Sequence, residues 1–400
     1  VIPQPQRSVI FAPAWRYPPT DHTTLMKAIQ MVDLVGQYQR IKPEVDAALQ
    51  RVIDSTAFIN GPEVKEFEKE LAAYLGVKHV IGCANGTDAL QIAMMALDLK
   101  PGDEVITASF TFVATVEVVA LLGIVPVFAD VLPGTFNLDP EDIKRKITPK
   151  TKAIVPVHLF GQTADMEAIM AIAKEHGLAV IEDNCQAVGS DYLFSDGSRK
   201  KSGTIGHVGT TSFFPSKNLG CYGDGGALFT NDDDLAKKLR RVCNHGSEVR
   251  YYHEVVGVNS RLDSLQAAIL RIKLRRLDEY GAARNAAAAF YDKELGGIPA
   301  LRIPERSQSS THVFHQYTLR VTDGRRDGLK QHLEAHGVPA MIYYPVSCHL
   351  QNAYKSVRCP EGSLPVTEQL TREVLSLPMS TELDHEQLTH ITNTVKSFFN

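Results

Sequence analysis

The chain reads as an α/β protein with a mostly parallel central sheet in a large unit, followed by a smaller C-terminal α+β unit. Three observations carry that expectation. Short β-branched runs recur between residues 103 and 183, and amphipathic stretches lie between them. The runs are almost continuously apolar, as strands covered by helices on both faces must be. At 400 residues the chain exceeds one small core and suits a large unit plus a smaller one.

The elements follow in order. "VKEFEKELAAYLG" (64–76) sets Val64, Phe67, Leu71 and Tyr74 on one helical face, with Gly76 as the stop. "TDALQIAMMALDLKPGD" (87–103) repeats the pattern with Leu90, Ala93, Met94 and Leu97, and Thr87 reads as its N-cap. Strands are predicted at "DEVIT" (103–107), "IVPVFAD" (124–130), "KAIVPV" (152–157) and "LAVIED" (178–183). Between the last two, "ADMEAIMAIAKEHG" (164–177) is helical by period and closed by Gly177. "NDDD" (231–234) opens a helix carrying Leu235, Leu239 and Val242, and another holds Leu262, Leu265, Ile269 and Ile272. We read residues 26–275 as the large unit and 276–400 as the small one. Residues 1–25 read as an extension outside the core, with the natural start near Met26.

Composition narrows the function. Net charge is −4, and the basic runs "KKLRR" (237–241) and "RIKLRR" (271–276) alternate with apolar residues as solvated helix faces do. No nucleic-acid partner is expected. The apolar stretch 112–128 is interrupted by Glu117, Gly123 and Pro126, short of the ~20 residues a membrane span needs. The six cysteines form no C-x-x-C pair and read as reduced thiols in a cytoplasmic protein, without a metal site.

Four segments fall at predicted strand ends, where open α/β sheets place ligands. In "CANGTDAL" (83–90), Gly86 and Thr87 open a helix whose N–H groups favour an anion, though an ordinary strand-to-helix turn looks the same. "VIEDNCQA" (180–187) ends a strand on Glu182 and Asp183, which suits either a core ion pair or a functional carboxylate. "TASFTFVAT" (107–115) offers Phe110 and Phe112, as core or as a platform for a planar ligand. "SFFPSKNLGCYGDGG" (212–226) holds Lys217 among glycines and aromatics. Together, an anion-binding helix start, an aromatic, a strand-end aspartate and a lysine are what a phosphorylated pyridine aldehyde requires.

The segments "TSFFPSKNLGCYGDGGALFTND", "EDNCQA", "NGTDAL" and "GVNSRLDSLQAAIL" resemble the DegT/DnrJ/EryC1/StrS family of pyridoxal-phosphate-dependent nucleotide-sugar aminotransferases. The resemblance runs from about Val32 to the C-terminus. Within the family it is closest to the UDP-2-acetamido-2-deoxy-3-oxo-glucuronate 3-aminotransferases. It implies aminotransferase fold type I, L-glutamate as amino donor and C3 of a UDP-linked keto-uronate as acceptor, for surface polysaccharide such as O-antigen. Aminotransfer to another UDP- or dTDP-linked keto-sugar is the alternative, and another fold-type-I enzyme such as a C–S lyase the second.

Roles follow from the resemblance. Lys217 forms the Schiff base and shuttles protons, and Asp183 keeps the pyridine nitrogen protonated. Gln186 bonds the ring's phenolic oxygen, and Phe112 stacks on the ring. Gly86, Thr87 and Ser212 bind the phosphate. Asn259 reaches the phosphate of a neighbouring subunit, which implies a homodimer with sites at its interface. Arg261, Gln316 and Tyr317 are candidates around the sugar and its carboxylate. Lys217 itself argues against the family's sugar 3-dehydratases, which usually have histidine there. One departure stands out: the family's "HYP" reads Tyr343-Tyr344-Pro345 here.

Overall fold

The computed structural model describes residues 27–356 and 358–400, so the expectations for residues 1–25 lie outside the described residues. In chain order come α1 (Leu34–Ser55), α2 (Pro62–Leu75), β1 (His79–Cys83), α3 (Gly86–Ala96), β2 (Glu104–Ala108) and α4 (Ala114–Leu121). Next are β3 (Val125–Ala129), α5 (Pro140–Lys146), β4 (Thr151–Val155), α6 (Met166–His176) and β5 (Ala179–Asp183). A hairpin of β6 (Asp191–Leu193) and β7 (Arg199–Lys201) leads to β8 (Val208–Ser212), β9 (Gly226–Thr230) and α7 (Asp233–Cys243). A second hairpin, β10 (Ser247–Val249) and β11 (Tyr252–His253), precedes α8 (Ser264–Leu274) and α9 (Leu277–Leu295). The chain closes with β12 (Leu301–Arg302), β13 (Tyr317–Val321), α10 (Arg326–Ala335), α11 (Pro365–Glu373), β14 (Val374–Leu377) and α12 (His385–Phe399).

The seven-stranded sheet has the order β1-β9-β8-β5-β4-β2-β3. β3, β2, β4, β5 and β8 pair in parallel, and β9 runs antiparallel between β8 and β1. Consecutive strand residues point to opposite faces, which is why the runs are apolar throughout. Val105, Val155 and Ile181 pack under α3, α4 and α7, while Ile106, Ile154 and Val180 pack against α6 on the other face. Phe67 and Leu71 of α2 and Leu270 of α8 cover the second face beneath Val80 and Phe229.

The four predicted strands agree with β2, β3, β4 and β5 to within two residues at either end. The apolar-run criterion passes over β1, β8 and β9, whose sequences HVIGC, VGTTS and GALFT carry glycine and threonine. They are strands because each pairs along its length with neighbours distant in sequence, β9 between β1 and β8. One local expectation needs correction. The N-cap of α3 is Asn85, whose Oδ1 accepts from Asp88 N at 2.8 Å; Thr87 lies inside the first turn.

The smaller sheet, β12-β13-β14, is antiparallel and has its own core with α9, α10 and α12. The segment that follows α10 returns to the large sheet, where Leu370 and Val374 join its core. Cys348 and Leu364 pack with Val116 and Phe128. Ser109, beyond the end of β2, bonds His349 Nδ1 through its hydroxyl at 2.7 Å, and His349 Nε2 lies 3.2 Å from Glu368. That buried tie sets residues 341–349 beside the loop that carries Phe112.

Candidate active site

A cavity of about 600 Å³ opens where β1, β5 and β8 end and β9 begins. Its lining includes Gly86, Thr87, Phe112, Asp183, Gln186, Ser212, Lys217 and Gln316. Eight residues predicted from dispersed segments are therefore neighbours in space. The cause is topological, since parallel strands deliver their C-terminal ends to one edge.

The anion end of the cavity is the start of α3. With Asn85 capping Asp88 N, the N–H groups of Gly86 and Thr87 precede the first intrahelical bond and have no acceptor among the described residues. Glycine is required here by space. A Cβ on Gly86 would lie 2.7 Å from Ser212 Cβ and 2.9 Å from Cys185 Sγ. Gly86→Ala is expected to strain this corner by about 1–3 kcal/mol and to raise the Kd for pyridoxal phosphate roughly tenfold or more. A cofactor titration followed by absorbance checks it, and an unchanged Kd would remove the cradle.

At the end of β5, neighbouring carboxylates go opposite ways. Glu182 is fully buried and accepts from Gly203 N (2.8 Å), Ile205 N (2.6 Å) and Gly206 N (2.5 Å), with His158 Nε2 at 2.8 Å. His158 Nδ1 accepts from Ala164 N at 3.2 Å, so the ring's proton sits on Nε2 and is donated to Glu182. Glu182 thus fastens the loop that enters β8. Asp183 faces the cavity at 5% exposure; its Oδ2 accepts from Thr115 Oγ1 (2.8 Å) and its Oδ1 from Cys185 N (3.2 Å). Of the two carboxylates at this strand end, Glu182 is the buried, hydrogen-bonded one and Asp183 the one that faces the cavity; no ion pair forms here among the described residues.

Phe112 lines the cavity with its ring 55% exposed. Phe110 is core, edge-on to Phe160 and Tyr344 and tilted against Phe136. Gln186 is oriented by its neighbours: Oε1 accepts from Phe160 N at 2.8 Å, and Nε2 donates to Tyr344 Oη at 3.1 Å. Tyr343 and Tyr344 close the wall that the sequence left undetermined.

Lys217 sits on the connection from β8 to β9, and both flanks of that connection are anchored. Phe213 packs edge-on against Phe67 at 5.3 Å, and Lys217 N donates to Phe214 O at 2.9 Å. Asn218 Nδ2 donates to Val313 O at 2.8 Å. The buried Lys273 of α8, its pKa pushed down to about 8 by burial, donates to Gly220 O at 2.7 Å. Gly220 has no room for a Cβ, which would meet Pro215 O at 2.4 Å. Burial also holds the Lys217 ammonium below its ordinary 10.5, against opposing pulls from Cys185 and Asp183.

Three predicted residues lie elsewhere. Tyr317, the first residue of β13, is fully buried with its hydroxyl donating to Asp292 at 2.8 Å, so it belongs to the small core and not to the cavity. Alternation along the strand turns it away from Gln316, which does line the cleft. Asn259 bonds Arg261, whose guanidinium also donates to Asn244 Oδ1 at 3.2 Å. Arg261 lines a separate cleft of about 440 Å³. Its neighbours Arg240 and Arg241 are tied to Glu68, Glu248 and Glu254, whereas Arg261 has no carboxylate partner among the described residues. Sequence reasoning gave no role to Thr115 or His315, although Thr115 closes the segment 107–115 and His315 stands one residue before Gln316; Tyr344 stood in the Tyr343-Tyr344-Pro345 departure.

The chain is similar to known proteins over most of its length. A model of the DegT/DnrJ/EryC1/StrS aminotransferase family matches residues 39–396. UDP-2-acetamido-2-deoxy-3-oxo-D-glucuronate aminotransferase of Pseudomonas aeruginosa is 49% identical over 89% of this chain and 96% of its own length. The pleiotropic regulatory protein of Geobacillus stearothermophilus is 48% identical over 93% of this chain and 98% of its own. Among solved structures, S. venezuelae DesV in complex with ketimine intermediate has a TM-score of 0.89 at 42% identity, covering 93% of this chain and 99% of that chain. NtdA from Bacillus subtilis with bound cofactor PMP has a TM-score of 0.82 at 33% identity, covering 92% and 83%.

Proposed function

The chain belongs to the DegT/DnrJ/EryC1/StrS aminotransferase family, and on that premise we propose that it aminates C3 of UDP-3-keto-N-acetylglucosaminuronate, using L-glutamate, in the cytoplasm, for surface polysaccharide such as O-antigen. It is a pyridoxal-phosphate-dependent aminotransferase. The observation that carries the reading is the convergence of Lys217, Asp183 and the free N–H groups of α3 on one cavity.

The residues present fit that cofactor. The cradle at Gly86, with unengaged N–H groups and the Ser212 hydroxyl beside it, suits a phosphate. Phe112 presents an open ring face, and the buried Asp183 carboxylate suits a cationic ring nitrogen. When bound, the cofactor supplies a carbonyl that takes up and passes on the amino group, and a ring that accepts electron density.

The chain's own residues do the rest. Thr115 and Cys185 N hold Asp183 in place, so its charge keeps a proton on the ring nitrogen. Gln186, with its oxygen engaged by Phe160, has only its Nε2 to donate toward a ring oxygen. Lys217 anchors the cofactor and, once released, takes the donor's α-proton at Nζ. A base must be neutral, and burial lowers the cost of reaching that form.

Asn259 and Arg261 complete the site in a homodimer on this reading, each serving the cavity of the other copy. What supports it is the position of Arg261 in a second cleft, its charge unmatched by any carboxylate among the described residues, with Asn259 bonded to it. Mixing inactive Lys217→Ala chains with inactive Asn259→Asp chains is expected to restore about a quarter of native turnover, because shuffled dimers hold one intact site. No recovery would place Asn259 in its own chain's site. Arg261→Ala is expected to lower kcat/KM for the uronate about 10- to 100-fold more than for the neutral sugar, since it deletes a charge-assisted pair. Equal losses would remove it as the carboxylate reader.

The substrate is tested with a panel of UDP- and dTDP-linked keto-sugars and L-glutamate, following 2-oxoglutarate. The UDP-linked 3-keto-uronate should react fastest. A faster dTDP-linked or neutral sugar would assign the chain to another sugar. Pyruvate, sulfide or alanine in place of 2-oxoglutarate would assign a different reaction.

A further inference from the structure

Lys273 holds a charge where the rest of its helix face is apolar. It is 1% exposed on α8, whose Leu270 and Leu274 enter the core. A buried ammonium is costly unless a counter-charge offsets it, and Lys273 has no carboxylate partner among the described residues. What meets its charge is the connection that carries Lys217. Nζ donates to Gly220 O at 2.7 Å and stands 4.9 Å from the centre of the Tyr222 ring. Tyr222 is itself edge-on to Tyr38 of α1 at 5.8 Å.

Both contacts bear on the loop that presents Lys217. Phe213 N donates to Gly225 O (2.7 Å) and Cys221 N to Phe213 O (2.8 Å), which fixes the base of that loop. Inside it, Gly220 is wedged against the carbonyls of Pro215 and Phe214, where a Cβ would lie 2.4 and 2.8 Å away. Gly220 therefore cannot shift without displacing the residues on the far side of Lys217. α8 supplies a second hold, since Gln266 Oε1 accepts from Tyr222 N at 2.8 Å. A misplacement of about 1 Å at a reacting group costs up to roughly a hundredfold in rate.

The surroundings set when the charge is present. Burial brings the Lys273 pKa down to about 8, with Cys221 opposing the fall and Arg284 adding to it. The other titratable groups around it are Tyr222 and Asp224 on the same connection, Tyr280 on α9, and Tyr38 and Asp46 on α1. Cys221 is pushed up to about 11 and Arg284 down to about 10, so neither titrates with it. Lys273 is charged at neutral pH and loses its charge as pH rises through about 8. The unfolded chain keeps this proton up to 10.5, so the folded state bears the full cost of the charge below about 8 and is relieved of it between there and 10.5. A methionine of similar length would avoid that cost, so the charge is kept for what it holds.

We propose that Lys273 is a positioning residue for the reaction: its ammonium, through Gly220 O and the Tyr222 ring, holds the 213–221 loop so that Lys217 keeps its place in the cavity, and turnover falls when that charge is lost. Lys273 does not line the cavity and exchanges no proton with its contents. The proposal rests on Lys217 being the acid–base group of the aminotransferase.

The test follows kcat from about pH 6 to about pH 10 in the native chain, Lys273→Met and Lys273→Arg. Native kcat is expected to fall through a midpoint near 8. Lys273→Met should lose about tenfold in kcat at neutral pH, with KM for both substrates and the cofactor Kd within about threefold of native, and show no step near 8. Its Tm at neutral pH should not fall, because a buried charge is gone; a purely structural lysine would lose Tm together with turnover. Lys273→Arg, charged throughout, should keep most of the rate and also lack the step. A readout apart from turnover is amide exchange in the cofactor-stripped full chain. The Lys217, Cys221 and Tyr222 amides should exchange faster in Lys273→Met, and those of α6 should not change. Full kcat in Lys273→Met, a step near 8 that persists in it, a folded Arg variant no faster than Met, or unchanged loop exchange overturns the proposal. Should the variants fail to fold, the native chain decides. Its loop amides, corrected for the intrinsic rise of exchange with pH, should quicken relative to α6 as pH crosses about 8, and a constant ratio overturns the proposal. Full turnover in Lys217→Ala would instead sink the underlying reading of the lysine.

Discussion

Lys217→Ala is expected to lower transamination roughly 10⁴-fold or more, because one side chain carries both the covalent anchor and the acid–base role. The yellow absorbance of a lysine-bound cofactor should vanish, while added pyridoxal phosphate still binds through Gly86, Thr87 and Ser212. The fold should survive. The flanks of Lys217 are held by Phe213, Asn218 and Gly220 through contacts the mutation leaves in place. Removing a buried amine also relieves its desolvation, so Tm is not expected to fall. Turnover equal to native would end the reading of this cavity as the reaction centre.

Asp183→Asn should leave KM nearly unchanged and lower kcat by about 10²–10³, the scale of removing a preorganised electrostatic partner. Asparagine is close in shape, and its oxygen still accepts from Thr115 or Cys185 N. Its amide cannot hold a positive ring nitrogen as a carboxylate does. Near-UV circular dichroism should match native, which separates this loss from misfolding. A full rate in Asp183→Asn would mean that the nitrogen is held by something else. The adjacent Glu182 is no substitute, since its oxygens are engaged by His158 and three backbone N–H groups.

Much of the fold was legible because burial on both faces leaves a plain mark in the sequence. Runs such as "KAIVPV" and "LAVIED" became β4 and β5 with small boundary shifts. β8 and β9 were not legible, since glycine and threonine weaken their apolar signal and their pairing partners are distant in sequence. That several of the candidate residues would meet at one place was legible for a related reason. Gly86, Asp183, Ser212 and Lys217 stand at strand ends or on the loop that follows, where a local motif already implies a position on the sheet's edge. The substrate side was read less well. Gln316 lines the cleft while Tyr317 faces the small core, and the one-residue alternation that separates them is set by the pairing of β13 with β14.

By itself the sequence determined strands β2 to β5 and the class of chemistry, and it singled out Lys217 as the candidate to carry it. All of these rest on residue types whose meaning is local: apolar runs, a helix start, a strand-end acid, a lysine among glycines. The tertiary structure alone decided which strand-end carboxylate faces the cavity and which fastens a loop. It also placed Thr115 and Cys185 N around Asp183, Arg284 behind His315, and Arg261 in a second cleft. Those relations join segments tens to hundreds of residues apart. Hydrogen bonds and burial act through space, so no local pattern could have carried them.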